Sequence, residues 1–163
     1  MARPLFTLLL GVVVTGCASL GVRTEGVSGP ITWRATDLKI QAVGEAPGFV
    51  GKAQQEVYSF TLVLQETQGT AITFTKMAYT LYSSPTLLPY ASETTGRWVL
   101  GPRRELRWPF SSTFYCPSHD CNAPGFIAPR YHIILTGTGS QGEPVRVVID
   151  LWLPDNPDAM KKR

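Results

Sequence analysis

The stretch TFYCPSHDC, residues 113–121, holds two of the chain's three cysteines and one of its two histidines. Three chemistries suit those residue types. Cys116 and Cys121 can close a disulfide. With His119 and the downstream His132 they offer two sulfurs and two nitrogens, a donor set that zinc or copper accepts. As free thiols they can form a redox pair. Spacing weighs these options. Thiol oxidoreductases favour two residues between the cysteines at a helix N-terminus, where the dipole stabilises thiolate, and here four residues intervene in a proline-containing run. That separation, with histidines at mixed offsets, is not a usual zinc knuckle either. A Cys116–Cys121 disulfide fits best wherever the compartment is oxidising. Closing so short a loop contributes about 2 kcal/mol, so the bond would chiefly fix local shape.

The compartment is legible at the N-terminus. In MARPLFTLLLGVVVTGCASLG, Arg3 supplies a positive start and residues 5–14 an apolar run of signal-peptide length, short for a membrane span. Val14-Thr15-Gly16-Cys17 follows, with small residues before a cysteine. This resembles the lipobox of bacterial lipoproteins. The resemblance implies cleavage before Cys17, a diacylglycerol on its sulfur and acylation of the new amino group by a palmitate-like chain. Several chains make a stable anchor, because each buried methylene contributes about 0.8 kcal/mol. Ala18 and Ser19 stand where an inner-membrane retention signal would begin with Asp. Their presence favours the outer membrane, with the protein facing the periplasm. Lipidation also accounts for the odd cysteine.

Removing residues 1–16 leaves 147 of 163, enough for one domain with a real core. The formal net charge of +3 is close to neutral and gives no case for nucleic acid. Basic residues gather only in the tail Lys161-Lys162-Arg163 and in Arg97, Arg103, Arg104 and Arg107, which read as a solvated end and a charged strand edge. Residues 17–30, the lipidated cysteine and a small, polar, glycine-containing stretch, read as a flexible tether. The domain is expected over residues 31–154 and a polar basic tail over residues 155–163.

From Ile31 the chain runs in short alternating segments. Ile31, Trp33 and Ala35 share one face, and Leu38, Ile40 and Ala42 resume it after a phase change at Thr36-Asp37. Residues 44–52 are a loop by composition. Tyr58, Phe60, Leu62 and Leu64 alternate next. After the turn Gln68-Gly69 come Ile72 and Phe74 in one phase and Met77, Tyr79 and Leu81 in the other, which places a bulge near Thr75-Lys76. These two runs read as a hairpin. Residues 83–97, with two prolines and a polar cluster, read as a long connection that crosses between sheets. Residues 98–100 and 105–110 are short strands around Gly101-Pro102, and the cysteine loop follows. Two final strands form a hairpin over residues 139–144, the last with Val145, Val147, Ile149, Leu151 and Leu153 inward.

About seven strands, with no capped helical period, define an all-β, two-sheet antiparallel sandwich. The pattern resembles immunoglobulin-like or fibronectin-like domains of bacterial envelope lipoproteins. The Tyr115-Cys116-x-x-His119 run is similar to the copper loop of cupredoxins, but no histidine precedes His119, the only later methionine is Met160 in the tail, and two strands follow. No nucleophile elbow, carboxylate pair or phosphate-cradling glycine loop appears, so the reading is not an enzyme and no cofactor is implied. His132 is expected on an outward face. Asp37, Glu56, Glu66, Glu105 and Asp150 show no evident pairing.

Tyr82, Tyr90, Trp98, Trp108, Phe110, Phe114 and Tyr115 gather around the two long loops. Buried, they are core at one end of a sandwich, which is the favoured reading; exposed, Tyr90, Trp98, Trp108 and Tyr115 make a contact surface for an envelope protein or a glycan. The expected function is a lipid-anchored structural or binding module, with small-scale copper or zinc handling by Cys116, His119, Cys121 and His132 as the alternative.

Exporting residues 18–163 to a periplasm and alkylating the thiols separates the two. A staple gives no alkylation until reduction and no metal. Free thiols with one equivalent of copper or zinc would make metal handling the leading function.

Overall fold

The computed structural model describes residues 22–45, 54–82, 89–116 and 129–154. Its eight strands are β1 (Glu25–Ser28), β2 (Ile31–Glu45), β3 (Gln54–Glu66), β4 (Ile72–Tyr82), β5 (Tyr90–Leu100), β6 (Glu105–Cys116), β7 (Arg130–Gly139) and β8 (Pro144–Trp152). They form two four-stranded sheets, β1-β2-β3-β6 and β5-β4-β7-β8, with every pairing antiparallel. Matching β2, β3 and β6 to strands A, B and E, and β4, β7 and β8 to C, F and G, reproduces the immunoglobulin-like division between sheets. β5 then takes the place of C′ beside C. The fold class is therefore the expected sandwich.

The inward faces follow the alternation in the sequence. Ile31, Trp33 and Ala35 of β2, Tyr58, Phe60, Leu62 and Leu64 of β3, and Val147, Ile149 and Leu151 of β8 are all buried. Both expected bulges form. β2 shifts register against β3 between Thr36 and Lys39, with Asp37 at a positive φ of 58°, and β4 shifts between Phe74 and Lys76. Each extra residue returns the following apolar positions to the core face.

The hairpin expected from β3 and β4 does not form. β3 pairs with β2 and β6, and β4 pairs with β5 and β7, so the turn after Glu66 passes from one sheet to the other. Alternation shows that each strand has one buried face, and this holds equally for strands side by side and strands facing across a core. Residues 101–104 cross back between β5 and β6. Conversely, the segment at residues 83–97 is no crossover. Its second half is β5, hydrogen-bonded to β4, so the sheet does not change there. β5 is an edge strand that is exposed along most of its length, so its polar sequence needed no apolar alternation.

Three further expectations need correction. The tether reading of residues 17–30 meets β1, which pairs with β2 through the two-residue turn Gly29-Pro30, Gly29 at φ 58°. Its pairing is carried by backbone, with no apolar period to announce it. Strand β6 runs on past Phe110 to Cys116, so the cysteine stretch begins inside the sheet. Carboxylates without visible pairing find partners: Asp37 and Glu105 meet Arg107, Glu105 also meets Arg34, and Tyr58 donates to Glu56.

Glu66 has the most consequential partners. The residue is 1 % exposed, and its carboxylate accepts from the backbone N–H groups of Gln68 at 2.6 Å, Gly69 at 2.8 Å and Arg103 at 2.8 Å. Those donors belong to the two tight connections that cross between sheets. The next residue joins the third turn at this end, because Thr67 donates its N–H and its hydroxyl to the Pro30 carbonyl. Burial works to raise the Glu66 pKa, but hydrogen bonds from Arg103, Gln68, Thr70 and Gly69 outweigh it and hold the carboxyl below its ordinary value of 4.5.

A carboxyl depressed in the folded state stabilises fully above its unfolded pKa and loses that stabilisation as pH falls through the folded pKa. Thermal melts should therefore show stability declining as pH drops below about 4.5, the unfolded carboxyl value. Glu66→Gln, which turns an amide N–H₂ toward N–H donors, should cost about 2 kcal/mol at pH 7 and flatten that acid decline.

Candidate binding face

The outward face of the β5-β4-β7-β8 sheet carries a mixed row near its end. Tyr82 of β4 lies opposite Arg130 of β7, which lies opposite Trp152 of β8. Trp152 in turn bridges to Arg23, with reciprocal backbone hydrogen bonds of 3.0 Å and 2.8 Å. The Arg130 guanidinium stacks over the Trp152 indole at 4.0 Å from the ring centre, and Arg23 reaches over Trp33 at 5.6 Å. Tyr82 is 45 % exposed. Among the described residues no carboxylate lies within ion-pair distance of Arg23 or Arg130.

The adjacent row holds His132 opposite Asp150, with Nδ1 and Oδ1 2.6 Å apart. Both side chains are more than a third exposed. This pair was missed by sequence reasoning, because its members lie 18 residues apart and meet only through the β7–β8 register. Alternation had nevertheless placed His132 outward. Chemically the arrangement is an imidazole held in orientation by a carboxylate on an open, solvated face. Half-buried Ile134 and Val148 lie beside it.

The structure does not bring His132 to Cys116. Cys116 ends a strand of the other sheet, opposite Gln54, while His132 points away from that sheet. His119 and Cys121, and with them the pairing of Cys116 with Cys121, lie outside the described residues. So do Cys17 and the side chains of Phe114 and Tyr115. Among the described residues no group of three or more His, Cys, Asp or Glu side chains is arranged to hold a metal ion.

The aromatic group divides. Phe110 is buried, stacked on Phe60 with ring centres 5.2 Å apart. Trp98 of β5 and Trp108 of β6 meet at 4.5 Å, closing the seam between the sheets and packing on the core. Trp98 also covers Gly96, where a Cβ would lie 2.6 Å from its ring. Tyr90 is exposed at 59 %, although its ring lies 6.2 Å from that of Tyr79, which packs on the core. Tyr131 sits at the centre of the cluster, in contact with Phe60, Tyr79 and Phe110. Burial pushes its hydroxyl far above the ordinary tyrosine pKa, opposed by the Ser112 hydroxyl and reinforced by Tyr79. That oxygen makes no hydrogen bond of good geometry.

No protein-family model matches the chain, and no curated protein matches it in sequence. Among solved structures, the putative ApaA protein from Bordetella pertussis is similar, with a TM-score of 0.50 and 13% identity over 83% of this chain and 100% of that one. The Northeast Structural Genomics Consortium target SoR45 gives a TM-score of 0.49 at 10% identity, over 79% of this chain and 91% of that one. At such identity the likeness to the first shows a shared fold alone.

Because the Tyr131 hydroxyl is desolvated without a good partner, Tyr131→Phe should leave stability unchanged or raise it by up to about 1 kcal/mol. Urea unfolding of the two proteins side by side reads this directly.

Proposed function

We propose that this chain is a lipid-anchored protein of the bacterial cell envelope, held through Cys17 in the outer membrane and facing the periplasm. There its immunoglobulin-like sandwich serves as a structural or binding module and not as an enzyme. The observation that carries the reading is the run Val14-Thr15-Gly16-Cys17 directly after a charged and apolar leader, followed within a few residues by the start of a packed domain. A leader, a modifiable cysteine and a small, self-contained β-domain are the parts such a protein needs. The binding role is supported by the outward row of Tyr82, Arg130 and Trp152, where apolar rings share one face with a guanidinium that has no carboxylate partner among the described residues, a composition suited to contact. The His132–Asp150 pair is open to water on both partners, which suits recognition better than proton transfer in an excluded site.

Expression of the full chain in a Gram-negative host, followed by fractionation, tests the anchor. The protein should partition into detergent with the outer membrane, and Cys17→Ser should release it to the soluble or uncleaved fraction. Recovery of the unsubstituted protein in the soluble fraction with an unmodified Cys17 would sink the proposal.

A further inference from the structure

We infer that the end of the outward β5-β4-β7-β8 face, with Arg23, Arg130, Trp152 and Tyr82, seats against anionic lipid headgroups of the membrane that carries the anchor. The inference rests on the Cys17 anchor proposed above and adds an orientation to it.

Chain length is the first argument. Arg23 is fixed to Trp152 by two backbone hydrogen bonds, so the chain from Cys17 enters the fold at this row. Only residues 18–22 lie between the anchor and Arg23. A fully extended chain advances at most about 3.6 Å per residue, so the row can stand no more than about 22 Å from the acylated cysteine.

Composition is the second. Trp and Tyr concentrate at membrane interfaces because they join an apolar ring to a polar edge, and Trp152 and Tyr82 stand here on one row. The arginines beside them have no carboxylate partner among the described residues, whereas Arg34 and Arg107 on the other sheet are engaged with Glu105 and Asp37. Such a guanidinium, at a headgroup surface, is suited to lipid phosphate. Each such charge near an anionic surface contributes about five-fold in partitioning.

The test uses the full lipidated protein in vesicles of phosphatidylcholine with 30 mol % phosphatidylglycerol, and in pure phosphatidylcholine, each doped with bromine-labelled lipid that quenches nearby tryptophan. Trp152 is assigned by difference from Trp152→Phe. Trp152 should be quenched in the anionic vesicles, less so in pure phosphatidylcholine, and less in 0.5 M salt. The double variant Arg23→Glu/Arg130→Glu should lose the quenching, and Arg104→Glu, on the turn at the opposite end of β5, should retain it. A protein that inserts in the vesicles but shows no Trp152 quenching, or equal quenching at all lipid charges and salt concentrations, overturns the inference and leaves the anchor standing. Equal loss in Arg104→Glu also overturns it. Failure of the protein to insert at all refutes the anchor itself. The salt series on the unsubstituted protein keeps the test decisive if the double variant does not fold.

Discussion

A carboxylate taken out of water must be met by donors or it will not stay charged. Glu66 is met by backbone N–H groups alone, and those groups sit on the two connections that carry the chain from one sheet to the other. One charge therefore fixes how the β3–β4 and β5–β6 crossings leave their strands, and those crossings decide which strands become neighbours. Thr67 extends the same anchoring to the β1–β2 turn through the Pro30 carbonyl. Three of the turns at this end are thus tied to one strand terminus.

The two sheets must also be sealed along their sides, where edge strands would otherwise admit water to the core. The two seams are sealed differently. Between β5 and β6 the closure is apolar, through the Trp98–Trp108 contact, and Gly96 leaves the room that the Trp98 ring fills. Between β1 and β8 it is polar, with Val148 N–H donating to Ser28 Oγ and Arg23 exchanging backbone bonds with Trp152. The polar seam leaves the Trp152 ring and the nearby guanidinium groups on the outside, while the apolar seam draws its two indoles inward. The contrast explains why Trp98 and Trp108 pack on the core, as the favoured sequence reading had them, while the outward aromatic row lies at the other side of the molecule.

The outer faces of the sheets differ in the same sense. On β2, β3 and β6 the charges neutralise each other: Arg34, Glu105, Arg107 and Asp37 form a network over Val63, which is buried on the outward side. Long arginine stems cover apolar surface in this way while their heads stay in water. On the opposite sheet His132 and Asp150 pair with each other, and Arg130 stacks on an indole with no carboxylate partner among the described residues.

The fold class, the bulges at Thr36-Asp37 and Thr75-Lys76, the inward sets of β2, β3, β4 and β8 and the outward direction of His132 were legible in the amino-acid sequence. Each of these follows from period two and from the phase breaks at Thr36-Asp37 and Thr75-Lys76, which are local properties. The proposal of a leader ending at Cys17 rests on the sequence alone. Folding alone places β3 and β4 in different sheets, adds β1, carries the strand expected at residues 98–100 back to Tyr90 as β5, sets Glu66 at two crossings and brings His132 to Asp150. Alternation reports that a strand has a buried side without saying what covers it. Edge strands bond through backbone and need no apolar signature, and partners such as Glu66 with Arg103, 37 residues apart, meet only once the sheets have closed.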